Sequence, residues 1–180
     1  NHDDIALYRL PEAAPDGLPR GFELLHPLGM TTAAPETGTP HRHEYQEIIL
    51  VEGGQATHTV DGQPRLLLPG SVALIGRGRV HFMLHTDDLT AWIVRFTEDF
   101  LPGDDRGLET DTLRGLFNPL GPGQTLHLPD EERANLHHLL TLIEDENQRT
   151  EGTGRDLAIG HLLAVLLLRL ARYRTDEIND

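Results

Sequence analysis

The apolar positions change period part-way along the chain. Between residues 41 and about 100 they fall in short runs, broken by turn signals roughly every ten residues, which predicts successive β-strands. The expected strands are residues 41–51, 55–60, 65–68, 71–75, 80–85 and 89–96, with an earlier one at 22–28. Gly53-Gly54, Asp61-Gly62 and Pro69-Gly70 separate them, and Asp-Gly is a strong signal for a tight hairpin. No helical pattern lies between the strands, so a small barrel or sandwich is expected rather than a parallel sheet. After Pro129 the spacing changes to three and four. Asp130, Glu131 and Glu132 suit the positive end of a helix, and Leu136, Leu139, Leu140 and Ile143 give it one apolar face. Gly152-Thr153-Gly154 breaks that helix, and a second is expected over about 155–174. Residues 101–128 predict a short helix near 112–117 and a short strand near 125–128. The expected organisation is an N-terminal arm (1–20), a mainly β barrel (21–128) and a helical segment (129–175), with no internal repeat.

Composition narrows what such a chain can do. Its 180 residues fit one domain with an appendage. The 29 acids against 15 bases give a formal charge of -14, which repels phosphate backbones, so binding of nucleic acid by this segment alone is not expected. Every basic residue is Arg. The absence of Cys removes disulfides, zinc-thiolate sites and thiol nucleophiles, and fits a reducing compartment such as the cytoplasm. The start is too acidic for a signal peptide, and the longest apolar run, 162–168, is too short for a bilayer, so no membrane partner is expected. Ser71, the one serine, lacks the glycine flanks of a nucleophile elbow, and no glycine pair has the context of a phosphate loop.

The candidate chemistry sits on one strand. Side chains alternate across a strand, so His41, His43, Tyr45, Glu47, Ile49 and Val51 share a face. If that face points inward, two imidazoles and a carboxylate enter the barrel together. His81 opens a later strand after Gly76-Arg77-Gly78. Such a donor set suits a divalent ion such as Zn, Ni, Fe or Mn, and it equally suits hydrogen bonds among the residues themselves or to a polar ligand. Trp92, with Val94 and Phe96, is either core or a stacking wall for a ligand, and Arg95 on the opposite face is expected in solvent. His58, sharing a face with Ala56 and Val60, reads as structural. Ile159, Leu163, Leu166, Leu170 and Tyr173 follow heptad spacing, widened by Leu162 and Leu167. These leucines either pack as core on the barrel or form a homodimer seam; one helix face is a narrow target for so many, which favours the seam.

The string His41-x-His43-x3-Glu47-x6-Gly54 resembles the first cupin motif, and Gly70-x5-Gly76-x-Gly78-x2-His81 resembles the second, with Gly76 where the family prefers Pro and His85 where it prefers Asn. The resemblance implies a cupin barrel, and in metal-binding cupins the matching residues His41, His43, Glu47 and His81 hold the ion. Residues 40–53 (PHRHEYQEIILVEG) and 68–81 (LPGSVALIGRGRVH) further resemble the sensor domain of AraC-type transcription regulators. That family joins an effector-sensing cupin to two dimerising helices and a C-terminal pair of helix-turn-helix units. The resemblance therefore implies the regulatory part of a longer regulator, meeting DNA only through a domain outside this segment. Its small polar effector would contact His41, His43, Tyr45, Glu47, His81 and Trp92, and Tyr8 and Arg9 are candidate lid contacts from the arm. A stand-alone metal-dependent cupin enzyme (dioxygenase, isomerase or lyase) is the alternative.

Overall fold

The computed structural model describes residues 5–10, 19–26, 38–103, 110–118, 124–149 and 154–179. The end of the first expected strand at 27–28 and the helix breaker at 152–153 lie outside them, as do most of the arm's residues.

Among the described residues, ten strands form two five-stranded sheets. In chain order they are β1 (Ala6–Tyr8), β2 (Phe22–Leu25), β3 (His41–His43), β4 (Gln46–Gly53), β5 (Ala56–Val60), β6 (Gln63–Leu67), β7 (Ser71–Ile75), β8 (His81–His85), β9 (Thr90–Phe96) and β10 (Gln124–His127). One sheet runs β1-β3-β8-β5-β6 and the other β10-β7-β4-β9-β2. A 3-10 turn (Glu98–Phe100) and α1 (Thr110–Leu116) precede β10, and α2 (Asp130–Asn147) and α3 (Arg155–Asn179) close the chain. This is a cupin barrel followed by two C-terminal helices. Its pairings are antiparallel apart from β1, which lies parallel to β3.

Turn chemistry fixes the register. Asp61 and Gly62 both take positive φ (47° and 79°), as a two-residue hairpin between twisted strands requires. Asp61 also accepts from the Val80 amide and from Arg79, tying the hairpin to the segment leading into β8. At the β4–β5 turn a side chain on Gly54 would come within 2.7 Å of the Leu89 backbone, so the close approach needs glycine.

The second sheet is a middle layer. Its inward face, with Ile49, Val51, Ala73, Ile75, Ala91 and Ile93, fills the lower barrel with Met83, Leu67 and Ala56 from the other sheet. Its outward face, with Ile48, Leu50, Val72, Leu74, Trp92, Val94 and Phe96, packs under the helices. From α2 come Leu136, Leu140 and Ile143, and from α3 Ile159, Leu163, Leu166, Leu167 and Leu170. Arg169 of α3 grips Glu132 of α2 through both carboxylate oxygens, which holds the helix pair in register.

This layering corrects the expected dimer seam. Ile159, Leu163, Leu166 and Leu170 are at most 1% exposed within the single chain. The sheet, α1 and α2 together offer enough apolar surface to cover a wide leucine stripe, which the estimate from one helix face missed. Tyr173 packs at the edge of the same core and donates its hydroxyl to the His127 carbonyl at 2.7 Å. Among the described residues of α3, the large apolar ones left in solvent are Leu157, Val165 and Leu168. Leu163→Ala should therefore cost about 2–5 kcal/mol of folding stability. Chemical denaturation should show the same loss at every protein concentration; a loss that vanishes on dilution would return Leu163 to a subunit seam.

Candidate metal centre in the barrel

The inward face of β3 and β4 meets β8 at one end of the barrel. His41 lies opposite His81 in the β3–β8 pairing, while Glu47 stands between Ile75 of β7 and Arg95 of β9. Donor atoms of His43, Glu47 and His81 all lie within 4.8 Å of one another, and all three residues are buried. His43 Nε2 is 3.9 Å from Glu47 Oε1. The His41 ring sits beside His81 at 4.3 Å and farther from His43 at 6.4 Å, so it borders the three-donor set without joining it. Tyr45 stacks on His43 at 4.1 Å and Tyr8 of β1 meets His41 edge-on at 5.3 Å.

Hydrogen bonds set which nitrogen of each ring is available. A carbonyl only accepts, so His43 Nδ1 carries the proton it donates to the Tyr45 carbonyl at 2.7 Å. Its Nε2 then holds a lone pair, and this atom is buried with no partner. His41 Nδ1 likewise donates to the Thr39 carbonyl at 2.9 Å. His81 Nε2 is a second buried nitrogen without a partner. Unpaired buried polar atoms are uncommon, because each gives up water for nothing. Two such atoms beside one carboxylate form the nitrogen–oxygen donor set that a divalent ion satisfies. The residues present fit a metal.

Arg95 completes the centre. Its Nε donates to Glu47 Oε2 at 2.7 Å, and its Nη1 to Glu23 Oε2 at 2.9 Å. Glu23, Arg95 and Glu47 are cross-strand neighbours on β2, β9 and β4, so the pairing register builds the relay. Burial is the largest influence and alone would raise the Glu47 carboxyl, but the charge of Arg95 acting together with His43 and His81 holds the group at about 2. Burial pushes the imidazoles the other way. His81 falls to about 3 and His58 to about 4, despite the opposing pull of Glu47, and His43 is lowered for the same reason. At neutral pH the centre is one carboxylate, one guanidinium and neutral imidazoles.

Two expectations are corrected here. Trp92 does not line the barrel: it faces outward opposite Leu50, stacked on His26 at 3.6 Å, with the His137 ring edge-on at 5.9 Å. Arg95, expected in solvent, is the inward residue. Nearly all of β9 is buried, so alternation told the faces apart without telling which one looks in. His58 is the second inward residue that sequence reasoning undervalued. It is 2% exposed and its Nε2 lies 3.3 Å from His81 Nδ1. The available signal was its alternation with Ala56 and Val60.

The cupin-domain family profile matches residues 29–94. The transcriptional activator RhaS of Enterobacter sp. (strain 638) is 29% identical over 166 residues, covering 86% of this chain and 56% of that protein. RhaS of Salmonella paratyphi B is 24% identical, covering 78% and 59%. The chain thus spans a little over half the length of these relatives. Among solved structures, the AraC-like transcriptional activator CuxR gives a TM-score of 0.44 at 15% identity, covering 69% of this chain and 42% of that one. ToxT from Vibrio cholerae gives 0.47 at 11%, covering 84% and 55%. Superpositions this loose carry no functional argument.

The buried imidazoles make folding pH-dependent. An unfolded chain protonates His58 and His81 near 6.5, the folded one only near 4 and 3. Between those values the unfolded state binds more protons, so stability falls with falling pH by about 1.4 kcal/mol per unit for each proton of difference. Glu47 acts in the same direction between 4.5 and about 2. Urea denaturation of the metal-free protein should show its midpoint falling from pH 7 to pH 4. The drop should be shallower in the double variant His58→Leu/His81→Leu; equal slopes would contradict neutral burial.

Proposed function

From a chain that carries a cupin domain related to those of AraC-type regulators, we propose that this segment senses a small ligand in its barrel and dimerises through its helices. Its signal would pass to a DNA-binding region beyond the segment, in the cytoplasm. The observation that carries the reading is the joint one: a buried His–Glu centre in the barrel, and transcriptional activators as relatives along 86% of the chain. The relatives' names also support a regulator over an enzyme. No helix among the described residues is long and apolar enough to cross a membrane.

His43, Glu47 and His81 would hold the ion, with His41 as the neighbouring donor. When bound, the ion would supply positive charge and open positions for a polar effector's oxygen atoms. Arg95 keeps Glu47 ionised and holds one of its oxygens, leaving the other toward the imidazoles. The charges of Glu23 and Glu47 outnumber that of Arg95, so the bare centre favours a cation over an anionic effector. Tyr8 and Arg9 would form part of a lid, since Tyr8 touches His41 and Arg9 pairs with Glu44 at 2.7 Å just outside the barrel.

The dimer surface belongs to the face of α3 that the chain leaves uncovered. Leu157, His161, Val165, Leu168 and Arg172 follow one another at helical spacing, and the three apolar members are 59%, 45% and 36% exposed. A fusion of this segment to a DNA-binding head that acts only as a dimer tests the reading. The wild-type fusion should repress a reporter, and Val165→Asp with Leu168→Asp should lower repression about tenfold or more while the isolated segment keeps its unfolding midpoint. A wild-type fusion as inactive as the head alone would overturn the dimer. For the sensor, dialysis against Zn, Ni, Fe(II) or Mn should load about one ion per chain, and Glu47→Gln should abolish loading. No uptake of any of the four would remove the metal.

A further inference from the structure

His58 has no counterpart in the motifs that pointed to the other inward histidines, and the donor set does not include it. It lies on β5, diagonal to His81 across the β5–β8 pairing, where Val60 is the direct partner of His81. Diagonal neighbours on one sheet face are within reach of long side chains. Here the reach places His58 Nε2 3.3 Å from His81 Nδ1, with the two rings meeting edge-on at 5.3 Å.

We infer that His58 is a positioning residue for the metal reading above: it accepts the Nδ1 proton of His81 and so leaves the His81 Nε2 lone pair facing His43 and Glu47. The two donor imidazoles are prepared by different means. His43 is fixed by a backbone carbonyl, which can only accept, so its Nε2 is always a lone pair. His81 has no such carbonyl in reach of Nδ1. Its partner is another imidazole, which can either accept or donate, and the order of that bond decides whether His81 can ligate at all.

The environment selects the order. If His58 donated to His81 Nδ1, His81 Nε2 would carry a proton, and that atom is buried with no partner. A buried N–H with nothing to donate to is the costlier orphan, and such groups are rare. The reverse order leaves a lone pair there, which an ion fills. A bound cation withdraws electron density from His81 and makes its Nδ1–H a stronger donor, so ion and hydrogen bond reinforce each other. Outer partners of this kind are worth roughly 10–100-fold in metal affinity.

The test uses three proteins and two readouts. On the metal-free wild type, long-range nitrogen–proton NMR of the histidine rings should report His81 protonated at Nδ1 and bare at Nε2. In His58→Leu, His81 should shift toward the Nε2–H form that a free neutral imidazole prefers. Competition against a chromophoric chelator with zinc should then show affinity about 10–100-fold weaker in His58→Leu. His58→Gln, whose side-chain oxygen accepts at a similar reach, should restore the Nδ1–H form and bring affinity to within a few-fold of wild type. Because His58→Leu could fail to fold, the wild-type spectrum and the Gln variant stand without it. A wild-type His81 protonated at Nε2 overturns the inference, as does His58→Leu binding zinc as tightly as wild type, which leaves the metal reading intact. Wild-type protein that takes up none of zinc, nickel, Fe(II) or manganese removes the metal reading and this inference with it.

Discussion

Two-sided burial of the sheet β10-β7-β4-β9-β2 is the constraint on which the rest of the molecule depends. A strand with both faces covered must be apolar on both, and β4, β7 and β9 are buried along most of their lengths. The inward face then carries whatever the barrel is for, and the outward face carries the helices. The polar residues Glu47 and Arg95 can occupy this dry interior only as partners. Gln46, at the end of β4, is likewise satisfied, by Glu98 and the Arg77 amide. Each strand of this sheet therefore serves two attachments, and a one-residue slip of register would exchange them.

How much of this was legible in the sequence follows from where the burial is one-sided. In β3 and β8 exposed residues alternate with buried ones, and the spacing of His41 and His43 was readable as one inward row, with His81 added by its resemblance to the second cupin motif. The hairpin at Asp61-Gly62 was equally plain, because positive φ at both positions demands those residues. In β9 the signal failed. Trp92 and Arg95 stand on opposite faces, but helices absent from the local pattern cover the face that would otherwise meet water. The tryptophan read as either core or pocket wall and the arginine as a surface residue, and the middle layer makes the first core and turns the second inward. The leucines of α3 misled for a related reason. Their number was weighed against one helix, and the surface that takes them comes from an entire sheet.

The electrostatics of the centre follow from the same geometry. Desolvation works in opposite senses on the carboxyl and the imidazoles, raising one and lowering the others, and the Arg95 charge is the leading influence that opposes it at Glu47. Arg95 is permanently charged and 2.7 Å away, the strongest single pull toward the ionised Glu47. Glu23, partly exposed at the end of the relay, balances the guanidinium from the other side. The result is a carboxylate kept ionised among neutral rings. Cation binding then needs no deprotonation at neutral pH, and the ordering cost of the ligands is already met by the fold.

Coupling between the barrel and the helices has to cross the middle sheet, and β4 is where the two sides come closest in sequence. Glu47 faces the centre near one end of that strand, and Glu52 lies near the other. Glu52 receives His137 of α2 at 2.5 Å and faces His26 at 3.8 Å, while His26 also faces Glu144 of α2 at 3.7 Å and lies flat on Trp92. Thus a polar contact joins α2 to the strand that supplies the candidate carboxylate ligand, five residues along. A packed strand transmits displacement because its neighbours on both faces leave it little room to deform. An ion that drew Glu47 inward would pull on Glu52 through a rigid element, and Glu52 is held by the helix pair whose outer face carries Val165 and Leu168. On the proposed reading, sensing in the barrel and assembly through the helices would be joined through β4, which carries Glu47 near one end and Glu52 near the other.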